Sequence, residues 1–205
     1  VLTLVFTVST LALIITIYTI RSRHTRLQKT LKNSVPEIIK LFDDILFTDK
    51  DYQGQEIFSK YEQIVYEVNR ESIDIGIGIL VDYKNDNRES EKYPLIINAI
   101  GIVDHLERKF DSRSNSEKID AFQEAFVLDL SKFDSKVLRY AYSKNKLIRS
   151  EARNSHLALS SNDPYRFFDE FDTSLSKWDE IELMQYLELQ RVRGNLEGLG
   201  KWINY

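Results

Sequence analysis

The first 20 positions of the chain carry apolar side chains and scattered hydroxyls, with no charge, proline or glycine among them. A helix of that length rises roughly 30 Å, which is about the thickness of the hydrocarbon core of a bilayer. Its backbone hydrogen bonds close within the segment, as a lipid environment requires. The pattern therefore predicts a transmembrane helix over residues 1–20. Because the chain opens at Val1, we also expect residues upstream, where a further span could lie.

Five basic side chains and no acidic one follow the apolar run, within residues 21–33. They are Arg21, Arg23, Arg26, Lys29 and Lys32. Short basic flanks resist translocation, so this juxtamembrane segment and the residues after it are expected in the cytoplasm. A secretory signal peptide has the opposite order, with its basic residues ahead of the apolar run. The flank also suits contact with anionic headgroups, which makes membrane lipid an expected partner.

Beyond the flank, apolar residues recur three and four positions apart, which is the period of amphipathic helices. Ser34 and Glu37 form a capping box ahead of the first such stretch. The apolar face of that stretch consists of Ile38, Leu41, Phe42 and Ile45. A polar stretch over residues 48–54 separates it from a second periodic stretch over residues 57–68. We expect these two helices to form an antiparallel hairpin.

The middle of the chain continues the helical period. Residues 95–110 show it most clearly and predict one long amphipathic helix that is central to the core. Ser116 predicts a helix cap, and so does Ser131 together with Asp134. Short helices joined by tight connections are therefore expected after residue 110.

The last third of the chain gives mixed signals. Residues 144–162 are polar and weakly periodic, whereas Asp163 followed by Pro164 predicts a helix start. A final long helix is predicted from residue 176. Its predicted inward face is Trp178, Ile181, Met184, Leu187 and Val192. The predicted fold class is all-α, with an N-terminal transmembrane helix followed by a cytoplasmic multi-helix bundle over residues 34–205.

Residues 73–83 combine two conflicting patterns. Four isoleucines and a valine occupy every second position, which by itself is the pattern of a strand. A lone strand leaves its backbone groups without partners, and no second alternation accompanies it, so an irregular or helical segment is favoured. Gly76 and Gly78 also resemble part of a nucleotide-binding loop. Without its third glycine, a flexible spot is the preferred interpretation.

Charge disfavours one class of partner. Residues 34–205 contain 23 Lys or Arg against 32 Asp or Glu, a net charge of −9. A protein that grips nucleic acid needs a basic face to displace counterions, so nucleic acid is an unlikely partner. The absence of cysteine from the sequence fits a reducing compartment.

Candidate chemistry is sparse. His24, His105 and His156 lie far apart, and no two of them have the spacing of metal ligands on one helical face. The adjacent acids of the sequence point in different directions and are interpreted as solvated. No cysteine is available as a nucleophile, and no serine lies in a glycine-flanked elbow. We therefore predict neither a metal nor another cofactor, and favour a protein without enzymatic activity.

One spacing points to a reaction. Arg149 precedes His156 with six residues between them, which resembles the active-site motif of HEPN-type ribonucleases, a class of small helical bundles. Such a pair could stabilise phosphate charge and transfer a proton. Arg149 and His156 are therefore the candidate catalytic residues of an alternative, toxin-like ribonuclease.

Two further stretches carry a family resemblance. The first, residues 38–68, has an apolar helix, then a short polar loop and then a second helix. The loop contains Gln53 and Gly54, and the second helix contains Glu56, Phe58 and Tyr61. Within residues 126–145, a leucine-serine turn precedes an acidic and aromatic helix, with Leu128, Leu130, Ser131, Asp134, Leu138 and Tyr142. Together they resemble a bacterial family of phage abortive infection proteins. That family carries N-terminal membrane spans and a helical cytoplasmic region.

The chain also departs from that family. Val127 or Asp129 stands where the family has an arginine ahead of the leucine-serine turn, and one apolar span is visible where two are usual. The resemblance implies a location in the bacterial cell membrane and a role in halting phage propagation, without naming a reaction. The leading hypothesis is thus a membrane-anchored defence protein that acts through protein partners, self-association or the membrane. The ribonuclease and a membrane-tethered adaptor are the alternatives.

Overall fold

A computed structural model describes residues 33–160 and 177–192, together with Tyr165, Gly194, Leu196 and Leu199. The predicted transmembrane helix over residues 1–20 and all five basic residues of its flank lie outside the described residues. The helix expected after Pro164 also lies outside them. Among the helices that the structure describes, none is long and apolar enough to cross a membrane.

The described chain is helical and contains no strand within those residues, which confirms the all-α class for this part of the protein. A 3-10 turn at Ser131–Phe133 precedes α7. The helices are α1 (33–47), α2 (Gly54–Val65), α3 (Arg70–Asn85), α4 (Tyr93–Ala99), α5 (Ile102–Phe110), α6 (Asn115–Val127), α7 (Asp134–Tyr140), α8 (Lys146–Leu159) and α9 (Lys177–Val192).

The chain divides into two compact units, and one division falls inside α3. The first unit combines the chain up to Ile79 with Glu89–Ile102, and the second combines Leu80–Arg88 with the chain from Val103 onward. The sequence pattern predicts one helical domain over residues 34–205. It does not reveal this division, because a boundary inside a continuous helix has no glycine-rich or proline-rich linker to mark it.

Helices α1 and α2 form the predicted antiparallel hairpin of the first unit. The rings of Phe42 and Tyr61 stack with their centroids 6.0 Å apart. Near the other end of the pair, Ser34 Oγ donates a hydrogen bond to the Ile64 carbonyl at 3.1 Å. Residue 33 is already helical, so Ser34 lies inside α1. The predicted capping role of Ser34 is therefore wrong, because its hydroxyl joins two helices instead.

The isoleucine alternation at residues 73–83 belongs to α3, so the helical interpretation is the observed one. In a helix, residues two apart point in different directions, and the alternation therefore spreads apolar side chains around the helix. Ile73, Ile77 and Ile79 are all buried accordingly. Gly76 and Gly78 lie inside the same helix and form no loop.

The single helix predicted over residues 95–110 is interrupted. Helix α4 ends at Ala99 and α5 begins at Ile102, with Gly101 between them at a φ of +75°. The Ile100 N–H still bonds to the Ile96 carbonyl at 3.0 Å, so the chain leaves the helical path at Gly101. Residues with a Cβ atom rarely adopt this left-handed conformation, whereas glycine adopts it easily. The glycine at position 101 therefore explains why the helix breaks there.

Aromatic packing forms the core of the second unit. Phe110 contacts Phe122 and Phe133, with ring centroids 5.5 and 5.0 Å apart. The Tyr140 hydroxyl donates to the Phe110 carbonyl at 2.7 Å. These contacts join α5, α6, the 3-10 turn and α7 around one buried aromatic cluster.

Helix starts in the second unit differ from the predicted caps. Ser114, two residues before the predicted Ser116, caps α6 by accepting a hydrogen bond from the Glu117 N–H. Ser131 lies in the 3-10 turn, and no side chain caps the start of α7. The sequence contains several serines near each start, and only the backbone path decides which of them is at the cap position.

Helix α8 has no counterpart among the predicted helices. Asn145 caps it, since its Oδ1 accepts hydrogen bonds from the N–H groups of Leu147 and Ile148 at 3.0 and 3.2 Å. Its buried side includes Ala152, Ser155 and His156. Small and polar residues contribute little to an apolar period, which is why the sequence pattern over residues 144–162 is weak.

Helix α9 is present as predicted, but its inward face is different. Ile181, Met184 and Val192, all predicted to point inward, are 51%, 66% and 74% exposed. Leu187 does face inward, and it packs with Leu183 and Tyr186 against a buried cluster of Ala141, Leu157 and Tyr165. Gln190 is also buried and donates to the Leu157 carbonyl. The polar Gln190 is thus buried on the inner side of α9, where helix periodicity predicts apolar side chains.

Candidate functional site at the contact of α7 and α8

The predicted catalytic residues Arg149 and His156 both lie on α8 and face α7. The two helices run antiparallel, because Arg149 and Arg153 reach residues just after α7 whereas His156 reaches Asp134, its first residue. Positions 149, 153 and 156 are four and three residues apart, so they share one face of α8. We call this contact the α7–α8 seam, formed by Asp134, Arg149, Arg153 and His156.

The arginines of the seam satisfy carbonyl groups at the carboxyl end of α7. Arg149 Nη1 donates to the Ser143 carbonyl at 2.7 Å, and Arg153 Nε donates to the Ala141 carbonyl at 3.1 Å. Ala141 is the residue at which α7 ends, and the carbonyls at a helix end lack partners within the helix and carry partial negative charge. Arg153 therefore stabilises the end of α7, and Arg149 ties the turn after α7 to α8.

His156 and Asp134 meet at the other end of the seam. His156 is 1% exposed, and its Nδ1 lies 2.5 Å from Asp134 Oδ1. The two atoms lie at ion-pair distance, although neither forms a hydrogen bond. The Asp134 side chain is 27% exposed and occupies the first turn of α7, where a carboxylate is favoured by the helix dipole.

The seam separates the two predicted catalytic groups. Seven positions along a helix correspond to roughly 10 Å, and the side chains of Arg149 and His156 contact opposite ends of α7. Proton transfer and charge stabilisation require both groups within hydrogen-bond reach of one reacting centre. In this geometry, the polar atoms of the pair hold two helices together.

Among the described residues, the one other histidine, His105, forms no second catalytic or metal site. His105 is buried on α5, and His24 lies outside the described residues. Four positions after His105, the Lys109 ammonium contacts both carboxylate oxygens of Glu124 at 2.9 Å and joins α5 to α6. Across the residues that the structure describes, no group of three or more His, Asp or Glu side chains could hold a metal ion.

A groove between α5 and α7 is the second polar feature of this unit. It encloses about 390 Å³, with Val103 and Phe133 as apolar lining. Its polar lining is Glu107, Lys132, Ser135, Lys136 and Arg139. The three cations lie four and three residues apart, a helical spacing that could have identified this basic surface from the sequence. We call it the α5–α7 groove.

In the first unit, charges hold the loop between α1 and α2. The Tyr52 hydroxyl and the Lys50 ammonium both donate to the Asp44 carboxylate, and they lower the pKa of Asp44, with the tyrosine as the larger cause. Lys92 Nζ donates to the carbonyls of Thr48 and Lys50 at 2.7 and 3.0 Å. These contacts of Asp44 and Lys92 fix the loop in place. Between α2 and α3, burial raises the pKa of Tyr61, whose hydroxyl donates to the Ser72 carbonyl at 2.5 Å.

Comparison with known proteins adds no relative. No protein-family model, curated protein or solved structure matches the chain. The class of the protein is therefore defined by its own structure, which is all-helical in the described residues. The resemblance to abortive infection proteins stays a prediction from the residues that carry it.

Proposed function

We propose that the protein is a membrane-tethered helical component of bacterial phage defence that acts by binding partners and not by catalysing a reaction. One observation carries the proposal. The uncharged run over residues 1–20 is followed by five basic residues and no acidic one. That combination suits a membrane helix whose flank stays in the cytoplasm.

The α7–α8 seam supports the non-enzymatic part of the proposal. Arg149 is bonded to the Ser143 carbonyl, and His156 is buried beside Asp134. A ribonuclease that used these residues would have to expose His156 to its substrate. Because both groups contribute to helix packing, binding through a surface is the better-supported mode of action.

The tether is tested by cell fractionation with a matched pair of variants. Wild-type protein is expected in the membrane pellet, resistant to high salt and released by detergent. Ile14→Arg places a charge near the middle of the predicted span at a cost of about 3 kcal/mol and should move protein to the supernatant. Ile14→Leu should behave as wild type. Intact wild-type protein in the supernatant without detergent would rule out the tether.

The defence role is tested by phage challenge of host cells that carry or lack the gene. Cells with the gene are expected to give fewer plaques with at least part of a broad phage panel. Ile14→Arg should lose this protection and Ile14→Leu should keep it. Equal plaque counts across the panel, with and without the gene, would contradict the proposed role.

The ribonuclease alternative is tested separately, by overexpression and analysis of total RNA. Intact RNA is expected, because the candidate residues are engaged within the α7–α8 seam. Degradation that His156→Gln abolishes, with the helical circular dichroism of the variant unchanged, would favour the enzyme instead.

A further inference from the structure

Helix α9 carries an apolar surface that faces solvent. Ile181 and Met184 are its apolar centre, flanked by Glu180, Gln185 and Glu188 along a shallow depression. We call this surface the α9 face, formed by those five residues. Large apolar side chains grouped on one exposed helix face are typical of interaction sites.

The charges of the α9 face are acidic. Residues 177–192 contain four Asp or Glu against two Lys or Arg. Glu188 is bonded to Arg191, with Arg191 Nε 2.7 Å from Glu188 Oε2. Glu180, which is exposed, therefore supplies the carboxylate at the start of the face.

The α5–α7 groove has the opposite character. Residues 103–160 contain 11 Lys or Arg against nine Asp or Glu, although the chain as a whole is acidic. Lys136 contacts Asp111 at 2.9 Å, so the exposed Lys132 and Arg139 supply the cations at the rim. The apolar part of the lining is the half-buried Val103 and the buried ring of Phe133.

We propose that the protein self-associates head to tail, with the α9 face of one copy bound in the α5–α7 groove of a second copy. The two surfaces match in charge, since the exposed carboxylate of Glu180 meets the exposed cations Lys132 and Arg139. Opposite potentials favour this pairing over like-charged alternatives.

The chemistry of the groove favours a helix of this kind over a polyanion. Glu107 lies among the lining residues, where it would repel the phosphates of a nucleic acid or of a lipid headgroup. The α9 face carries two carboxylates, of which Glu188 is paired with Arg191, so it meets less repulsion from Glu107 than a polyanion does. Because each copy presents one face and one groove, the contact is heterologous and generates rings or open chains.

Disulfide trapping in the full chain tests this arrangement, because the sequence contains no cysteine. Two single variants, Arg139→Cys with an epitope tag and Met184→Cys without one, are mixed and mildly oxidised. A mixed dimer is expected, at least ten-fold above the dimers that either variant forms alone. The double variant in one chain should give a ladder of larger species.

Two results of the trapping experiment would overturn the proposal. Equal cross-linking of Met184→Cys with itself would mean that two α9 faces meet. The absence of the mixed dimer, with each variant as helical as wild type, would mean that face and groove do not meet.

Charge exchange gives a second, independent test by light scattering of the full chain in detergent. Arg139→Glu and Glu180→Arg are each expected to weaken association at least five-fold. Their combination in one chain should restore it, because the pair is then reversed and not lost. Lys144→Glu makes the same charge change as Arg139→Glu at an exposed residue outside the groove and should have no effect. Failure of the combination to recover association would contradict the pairing.

Discussion

At the residue scale, Gly76 lies where α3 comes closest to its neighbours in the first unit. A Cβ at this position would lie 2.9 Å from Ile100 Cδ1 and 3.1 Å from the hydroxyl oxygen of Tyr61. Ile100 and Tyr61 are themselves buried, so neither can easily move aside. Gly78 lies in the same helix, and a Cβ there would meet nothing within 4 Å.

The two glycines therefore predict opposite effects of one substitution. Gly76→Ala should destabilise the protein by about 1–3 kcal/mol, because the crowding exceeds the gain in helix propensity. Gly78→Ala should stabilise it by about 0.5–1 kcal/mol, because only the gain remains. Thermal unfolding followed by circular dichroism measures both. Shifts of the same sign for the two variants would contradict the close packing at Gly76.

Asp44 predicts a pH dependence of stability. Its pKa is lowered from the ordinary 3.8, first by the Tyr52 hydroxyl and then by Lys50. A carboxylate with a lowered pKa in the folded state stabilises that state above its unfolded pKa and loses the contribution as the pH falls through the folded one. The melting temperatures of wild type and Asp44→Asn should therefore differ above about pH 4 and converge below it. A constant difference down to pH 2 would contradict this assignment.

At the scale of elements, the α7–α8 seam shows how polar residues position short helices. Helix α7 has seven residues, too few to be stable alone. Arg153 binds the Ala141 carbonyl at its carboxyl end, Arg149 binds the Ser143 carbonyl in the turn that follows, and His156 contacts Asp134 at its start. A helix of this length is therefore held at both ends by α8.

The seam predicts that His156 acts on stability. His156→Ala should cost about 2–4 kcal/mol, because it leaves a cavity and removes the partner of a partly buried carboxylate. Asp134→Asn should cost less, and the double variant should deviate from additivity by roughly 1 kcal/mol. Lys146→Ala, at an exposed position of the same helix, should stay within about 0.5 kcal/mol of wild type. Additive effects of the two seam variants would show that the residues do not interact.

At the scale of the whole molecule, charge is distributed unevenly. Residues 33–102 contain 14 Asp or Glu against seven Lys or Arg, whereas residues 103–160 have a small excess of Lys and Arg. The negative net charge of residues 34–205 therefore conceals a small excess of basic residues within residues 103–160 of the second unit.

If the tether and the head-to-tail contact both exist, they should reinforce one another. Confinement to a membrane raises the effective concentration of the copies without adding a contact. The disulfide yield of the Arg139→Cys and Met184→Cys pair in cells should therefore fall at least three-fold when Ile14→Arg releases the chain. Expression is matched by immunoblot, and Ile14→Leu is the control. An unchanged yield would show that the contact gains nothing from the membrane.

The sequence by itself determined the helical class and the hairpin of α1 and α2, because periodic apolar residues and a polar loop are local properties of the chain. It also contained the two candidate residues Arg149 and His156, although spacing alone could not show that their side chains contact opposite ends of α7. For the α5–α7 groove, the sequence contained only one indication, which is the helical spacing of three basic residues.

The tertiary structure decided the break at Gly101, the existence of α8 and the buried side of α9. Periodicity shows that one face of a helix is apolar, but it does not show whether another element packs against that face. In α9, Met184 is exposed and Gln190 is buried. Periodicity also undervalues a helix such as α8, whose buried side chains mix Ile148, Leu157 and Leu159 with small or polar residues. Burial and pairing depend on which distant residues arrive at the same place, and only the folded chain brings them together.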